Sequence, residues 1–124
     1  MRLASIRLVT SDVERLIAFY SRLTGTDATR FSPEFGEFRH DNFALAISSE
    51  ALVRKFNAGA AVAAANRSAM VEFEVDDVDA VAARLSDVDI AMLPTDMPWG
   101  NRSMLLRDPD GNVVNIFKRA PRAN

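Results

Sequence analysis

Val13, Leu16, Ile17 and Tyr20 draw an apolar stripe at helical spacing, and Val78, Val81, Ala82 and Leu85 draw it again later in the chain. A short strand pattern precedes each stripe, and Ser11-Asp12 and Asp76-Asp77 stand in matching places at the two helix starts. The same offset brings Phe35-Gly36 near Trp99-Gly100 and, after a small slip, Asp41-Asn42 onto Gly111-Asn112. A duplicated unit of this kind has two sheets, each with a helix on one face. The simplest cover for the two remaining faces is each other.

Taken in order, Leu3 to Thr10 alternates as a strand, with Ile6 and Leu8 on one face and Ser5, Arg7 and Val9 on the other. Ser11 with Glu14 forms a capping-box pattern, and Gly25 stops the helix. Thr26 to Phe31, Gly36 to His40 and Phe43 to Ser48 read as short strands, so the first half is βαβββ. Ser49 to Phe56 suits a short helix, and Asn57 to Asn66 is a small-residue tract without an apolar stripe.

In the second half, Met70 to Val75 is a strand with Val71, Phe73 and Val75 on one face and Met70, Glu72 and Glu74 on the other. Asp76 is the expected cap of the next helix, and Asp77 and Asp79 suit the positive end of its dipole. Val88 to Leu93 is a strand that Pro94 and Pro98 end. The chain closes on a hairpin from Trp99 to Phe117 whose turn is Asp108-Pro109-Asp110-Gly111, and Ala120 to Asn124 reads as a frayed tail. The expectation is an α+β fold: one domain over 1–124, with βαβββ modules at about 3–49 and 68–118 and a connector at 50–67, forming a curved mixed sheet with a cleft.

Composition excludes several functions. The net charge of −2 leaves no basic face of the size that phosphate neutralisation needs, so nucleic acid is not an expected partner. No apolar run is long enough to cross a bilayer and no signal-type segment opens the chain, so a cytoplasmic location without membrane attachment is the default. Absence of cysteine removes disulfides, thiolate nucleophiles and cysteine-ligated metals. Asp108, Asp110 and Asn112 imitate the start of an EF-hand loop, but Val113 stands where that loop needs Gly and Arg119 where it needs Glu. The single histidine, His40, beside the Asp41-Asn42 turn, reads as a surface turn residue.

The strand-Asp-Val-helix starts (Val9-Thr-Ser-Asp12-Val13 and Val75-Asp-Asp77-Val78), the Phe19-Tyr20 pair, and Pro98-Trp-Gly-Asn-Arg102 leading to Asp108-Pro-Asp-Gly-Asn112 resemble the vicinal oxygen chelate superfamily of glyoxalases, extradiol dioxygenases and bleomycin-resistance proteins. The resemblance covers nearly the whole chain and implies paired βαβββ modules around an open cleft, and a homodimer. It also implies a divalent metal held by His and Glu side chains from the first and last strands of each module. The matching positions here are Ser5, Met70 and Asn115, with Leu45 the counterpart in the first module. Hard or borderline metals take carboxylates or imidazoles at about 2.0–2.2 Å, which none of these supplies. No metal, no other cofactor and no catalytic residue are therefore expected.

If the apolar strand faces meet the helices, Ser5, Arg7, Met70, Glu72, Glu74 and Asn115 line the cleft. Arg7 and Glu72 then either recognise a polar or cationic ligand, pair with each other, or reach water near the strand ends. Trp99 either stacks on a flat ligand at the cleft mouth or covers the hairpin; the resemblance implies a groove role, since a similar Trp-Gly segment contributes to the drug groove in bleomycin-resistance proteins. Phe35 and Phe38 are further candidates for aromatic lining. The reading is a metal-free protein that takes up a small organic molecule through Trp99, Arg7, Glu72, Met70, Asn115, Ser5 and Phe38, with drug or toxin sequestration as one use. Its rival is a lyase, isomerase or dioxygenase with a non-standard site built from Glu72 or Glu74 with His40. A third reading is an interaction module whose cleft its own side chains or the 57–66 segment fill.

Overall fold

A computed structural model describes residues 1–121, so the end of the tail expected to fray lies outside the described residues. The chain divides into two compact units, Met1–Asn66 and Arg67–Asn124. Among the described residues they hold eight strands and three helices, an α+β architecture of two open four-stranded mixed sheets.

In the first unit, β1 (Ser5–Thr10) leads into α1 (Val13–Thr24), followed by β2 (Thr29–Ser32), β3 (Phe35–His40), β4 (Phe43–Ser49) and α2 (Glu50–Phe56). The sheet order is β1-β4-β3-β2, with β1 parallel to β4 and the remaining pairs antiparallel. The apolar stripe forms as its spacing predicts: Val13, Leu16, Ile17, Tyr20 and Leu23 are the buried residues of α1. Gly25, in the left-handed region at φ 71°, ends the helix, and its N–H donates to the Ser21 carbonyl.

The second unit repeats this order. β5 (Met70–Glu74) and α3 (Val78–Arg84) are followed by β6 (Asp89–Asp96), β7 (Arg102–Arg107) and β8 (Val113–Lys118). Its sheet runs β5-β8-β7-β6, again with one parallel pair, β5 with β8. Val78, Val81 and Leu85 are buried on the helix side, and Met104, Leu106, Val114 and Ile116 are buried in the sheet. The last hairpin turns as its sequence dictates. Asp108, itself buried, accepts the N–H groups of Asp110 and Asn112 at 2.9 Å each and the Asn112 side-chain amide at 2.7 Å, while Gly111 supplies φ 83°.

Several local expectations are corrected. The first strand begins at Ser5, not Leu3, and the second covers Thr29–Ser32 instead of Thr26 to Phe31. The helix caps are Asp12 and Asp77, one residue beyond Ser11 and Asp76; their carboxylates accept the N–H groups of Arg15 and Ala80 at 3.1 and 3.0 Å. Pro94 does not end β6, which runs on to Asp96 with shifts of register on the way. A proline is tolerated there because β6 is an edge strand and its missing N–H breaks no ladder in the sheet interior. Ala120 does not fray: its N–H donates to Asn101 Oδ1 at 2.9 Å.

Candidate functional site

Strand alternation and register assign every side chain of the first sheet to a face. Opposite Leu45 stand Ile6 on β1 and Phe38 on β3; opposite Ile47 stand Leu8 and Gly36. This is the face under α1. A Cβ on Gly36 would come within 3.0 Å of the Ile17 side chain, and the rings of Tyr20 and Phe38 lie 6.3 Å apart. The other face carries Ser5, Arg7 and Val9 from β1, Ala44, Ala46 and Ser48 from β4, and Phe35, Glu37 and Arg39 from β3.

Phe38 is therefore removed from the candidate site: it is a buried core ring against Tyr20, on the opposite face from Phe35. Leu45 is likewise a core residue. Arg7 pairs across with Ala46, just as Glu72 pairs with Asn115, so the counterpart of Asn115 in the first unit is Ala46.

Arg7 remains on the candidate face with its guanidinium 5.9 Å from the centre of the Phe35 ring. It donates to Asn57 Oδ1 at 2.9 Å, so the C-terminal end of α2 meets this face. Sequence reading missed Asn57 because it lies in the tract without periodicity. Phe31 stacks edge-on against Phe35 at 5.7 Å and is largely exposed, extending the aromatic surface. Ser5 is exposed at the start of β1, and His40 is exposed at the end of β3.

In the second unit, Val71 and Phe73 share a face with the buried Val114, Ile116, Met104 and Leu106, under α3. Met70, Glu72 and Glu74 share the other with Val113, Asn115, Phe117, Leu105 and Arg107. The structure thus brings together three predicted site residues, Met70, Glu72 and Asn115. Asn115 Nδ2 donates to Glu72 Oε2 at 2.8 Å, and Asn115 Oδ1 is buried with no partner among the described residues. Glu74 takes the Nε–H of Arg119 at 3.2 Å, and that guanidinium lies 5.4 Å from the centre of the Phe117 ring. Arg7 and Glu72 each have a hydrogen-bond partner within their own unit.

Trp99 sits in the short loop between β6 and β7 and is 67% exposed. The Met97 N–H donates to the Asn101 carbonyl at 2.7 Å, and the Gly100 N–H to the Met97 carbonyl at 2.9 Å. Gly100 adopts φ 97° and lies so close to Ala120 that a Cβ would meet the Ala120 Cβ at 2.8 Å. At the loop's end Arg102 donates to both carboxylate oxygens of Asp79 at 2.8 and 2.9 Å and to Asp96 at 3.0 Å. Sequence reading quoted Arg102 only as part of a motif. Its position beside a tight turn, with an acidic first helical turn available, was the signal for this role.

The divalent metal of the resemblance does not fit these faces. Ser5 and Ala46 in one unit and Met70 and Asn115 in the other replace the carboxylates and imidazoles it needs, and Glu72 already accepts from an amide. Among the described residues, no group of three or more His, Cys, Asp or Glu side chains is placed to hold a metal ion. No helix there is long and apolar enough to cross a membrane.

Residues 2–116 match the family model described as Glyoxalase/Bleomycin resistance protein/Dioxygenase superfamily. No curated protein matches the chain. Among solved structures it resembles a glyoxalase/bleomycin resistance protein/dioxygenase from Nocardioides at 24% identity and TM-score 0.80, covering 100% of this chain and 87% of that one. A glyoxalase-related enzyme from Fulvimarina pelagi is similar at 22% identity and TM-score 0.81, over 96% of this chain and 88% of that one. A family enzyme from Burkholderia phytofirmans follows at 18% identity and TM-score 0.80, over 95% and 98%. These identities speak to the fold alone.

Proposed function

We propose that this chain, which belongs to the glyoxalase/bleomycin resistance protein/dioxygenase superfamily, is a metal-independent binding protein for a small organic molecule, with drug or toxin sequestration as its use. The observation that carries this reading is the Glu72–Asn115 pair. Where a metal enzyme of such a fold needs strong ligands, this chain has one carboxylate hydrogen-bonded to one amide, beside a thioether. A fold that hosts both enzymes and binders is assigned by its site, and this site offers recognition groups without a metal-ligating set.

Those groups suit a flat molecule carrying positive charge. Trp99 offers an exposed indole face, and Glu72 and Glu74 offer carboxylates on one sheet face of the same unit. Ser5, Arg7 and Phe35 contribute a second polar and aromatic surface in the first unit. The test is a titration of Trp99 fluorescence with 1-methylquinolinium, a flat aromatic cation, against a neutral naphthalene of similar area. Saturable quenching that favours the cation and weakens in Glu72→Gln supports the reading. Turnover of a candidate substrate that Glu72→Gln abolishes with folding intact would transfer the assignment to the enzyme class.

A further inference from the structure

We infer that Arg102 is the positioning residue of the Trp99 loop, holding the indole in a fixed orientation for a ligand to meet. The loop leaves β6 at Asp96 and re-enters the sheet at Arg102, and these two residues are partners in the strand register. Their side chains add a bond of 3.0 Å across the neck, so the loop is closed twice at its base. From the same guanidinium, two further bonds reach Asp79 in the first turn of α3. Arg102 therefore ties the loop to a helix as well as to its own hairpin, and only a planar fork with several donors can serve both carboxylates at once.

Stability accounts for only a small part of this arrangement. The side chains of Asp79 and Asp96 are 59% and 80% exposed, and ion pairs in such surroundings contribute little to folding. What the network does supply is geometry. Beyond the clamp, the Ala120 N–H donates to Asn101 and the Ala120 side chain abuts Gly100, so the two residues that follow Trp99 are held by the segment after β8 as well. A segment held at so many points carries a large apolar ring that is left mostly in water. Rigid presentation of an exposed aromatic reduces the ordering cost that a ligand would otherwise meet on binding.

Two variants and one reporter test this. Arg102→Met keeps the side-chain stem and removes every donor; Asp96→Asn weakens only the tie across the loop neck and leaves the Asp79 clamp, which serves the helix, in place. Trp99 is the chain's single tryptophan, so its fluorescence anisotropy and acrylamide quenching report the loop alone. The expected result is lower anisotropy and about twofold easier quenching in both variants, with the thermal midpoint of Asp96→Asn close to that of the parent. Anisotropy and quenching unchanged in both variants would overturn the inference. Its binding arm rests on the reading given above: 1-methylquinolinium should dissociate faster from both variants. Should the variants loosen the loop while the parent binds no such probe, the positioning role of Arg102 stands and the binding function falls.

Discussion

Asn115 donates its side-chain amide to Glu72 at 2.8 Å while its own carbonyl oxygen, buried, accepts nothing among the described residues. An orphaned buried acceptor costs about 1–3 kcal/mol, whereas the net gain from one hydrogen bond to a charged group is about 1.5–3 kcal/mol. Asn115→Leu removes both and should leave the unfolding free energy from urea titration within about 1 kcal/mol of the parent. Binding of a flat cation should fall by about tenfold in the same variant, since Glu72 loses the neighbour that orients it. Unfolding titration and probe titration on one preparation check the two halves together.

The clamp on Asp79 has a pH signature. Hydrogen bonding to Arg102 holds its carboxyl below the ordinary value of 3.8, so the native state resists protonation there more than the unfolded chain does. A lowered native pKa gives stability that is present above 3.8 and lost as pH falls through the native value. Glu14 behaves alike: the fork of Arg30 at 2.6 and 3.2 Å lowers it from 4.5. Thermal midpoints measured from pH 7 downward should drop below about pH 4.5, and the double variant Glu14→Gln with Asp79→Asn should show a flatter acid limb.

Two glycines in successive turns of the second sheet, Gly100 between β6 and β7 and Gly111 between β7 and β8, separate strain from crowding. A Cβ on Gly111, at φ 83°, would meet nothing within 4 Å, so Gly111→Ala meets backbone strain alone, about 1–2 kcal/mol. At Gly100, φ 97° is joined by an unavoidable approach to Ala120 at 2.8 Å. Gly100→Ala should therefore cost more in thermal unfolding than Gly111→Ala and should also shift Trp99 emission, which Gly111→Ala leaves unchanged.

Phe38 and Phe35 make a second contrast. Phe38 is 4% exposed and in ring contact with Tyr20 under α1, so Phe38→Ala should cost about 3–5 kcal/mol in unfolding free energy. Phe35 lies on the other face beneath Arg7. Phe35→Leu should be tolerated far better, and any loss it brings should appear in ligand binding.

The residues show why one part of this was legible beforehand and another was not. Apolar stripes, the glycine stop at Gly25 and the Asp108 turn are local patterns, and each formed where its spacing placed it. The caps came out one residue late, because Ser11-Asp12 and Asp76-Asp77 each offer two oxygen-bearing side chains and only the one directly before the first apolar residue has helix geometry in reach. Phe35 and Phe38 both read as aromatic lining because the sequence starts the strand at Gly36; β3 begins at Phe35, and alternation then sends the two rings to opposite faces. Leu45 was misregistered because the two modules turn differently before their last strands, through Asp41-Asn42 in one and Asp108 to Asn112 in the other, and a slip of one residue exchanges faces. Arg102 with Asp79 joins residues far apart in sequence, a contact that only the folded sheet brings about.

Titration of Trp99 fluorescence with 1-methylquinolinium, performed with and without excess EDTA, tests metal-independent binding most directly. The account predicts one saturable curve that EDTA leaves unchanged. Binding that EDTA abolishes and added zinc or manganese restores would contradict it, as would no binding under either condition.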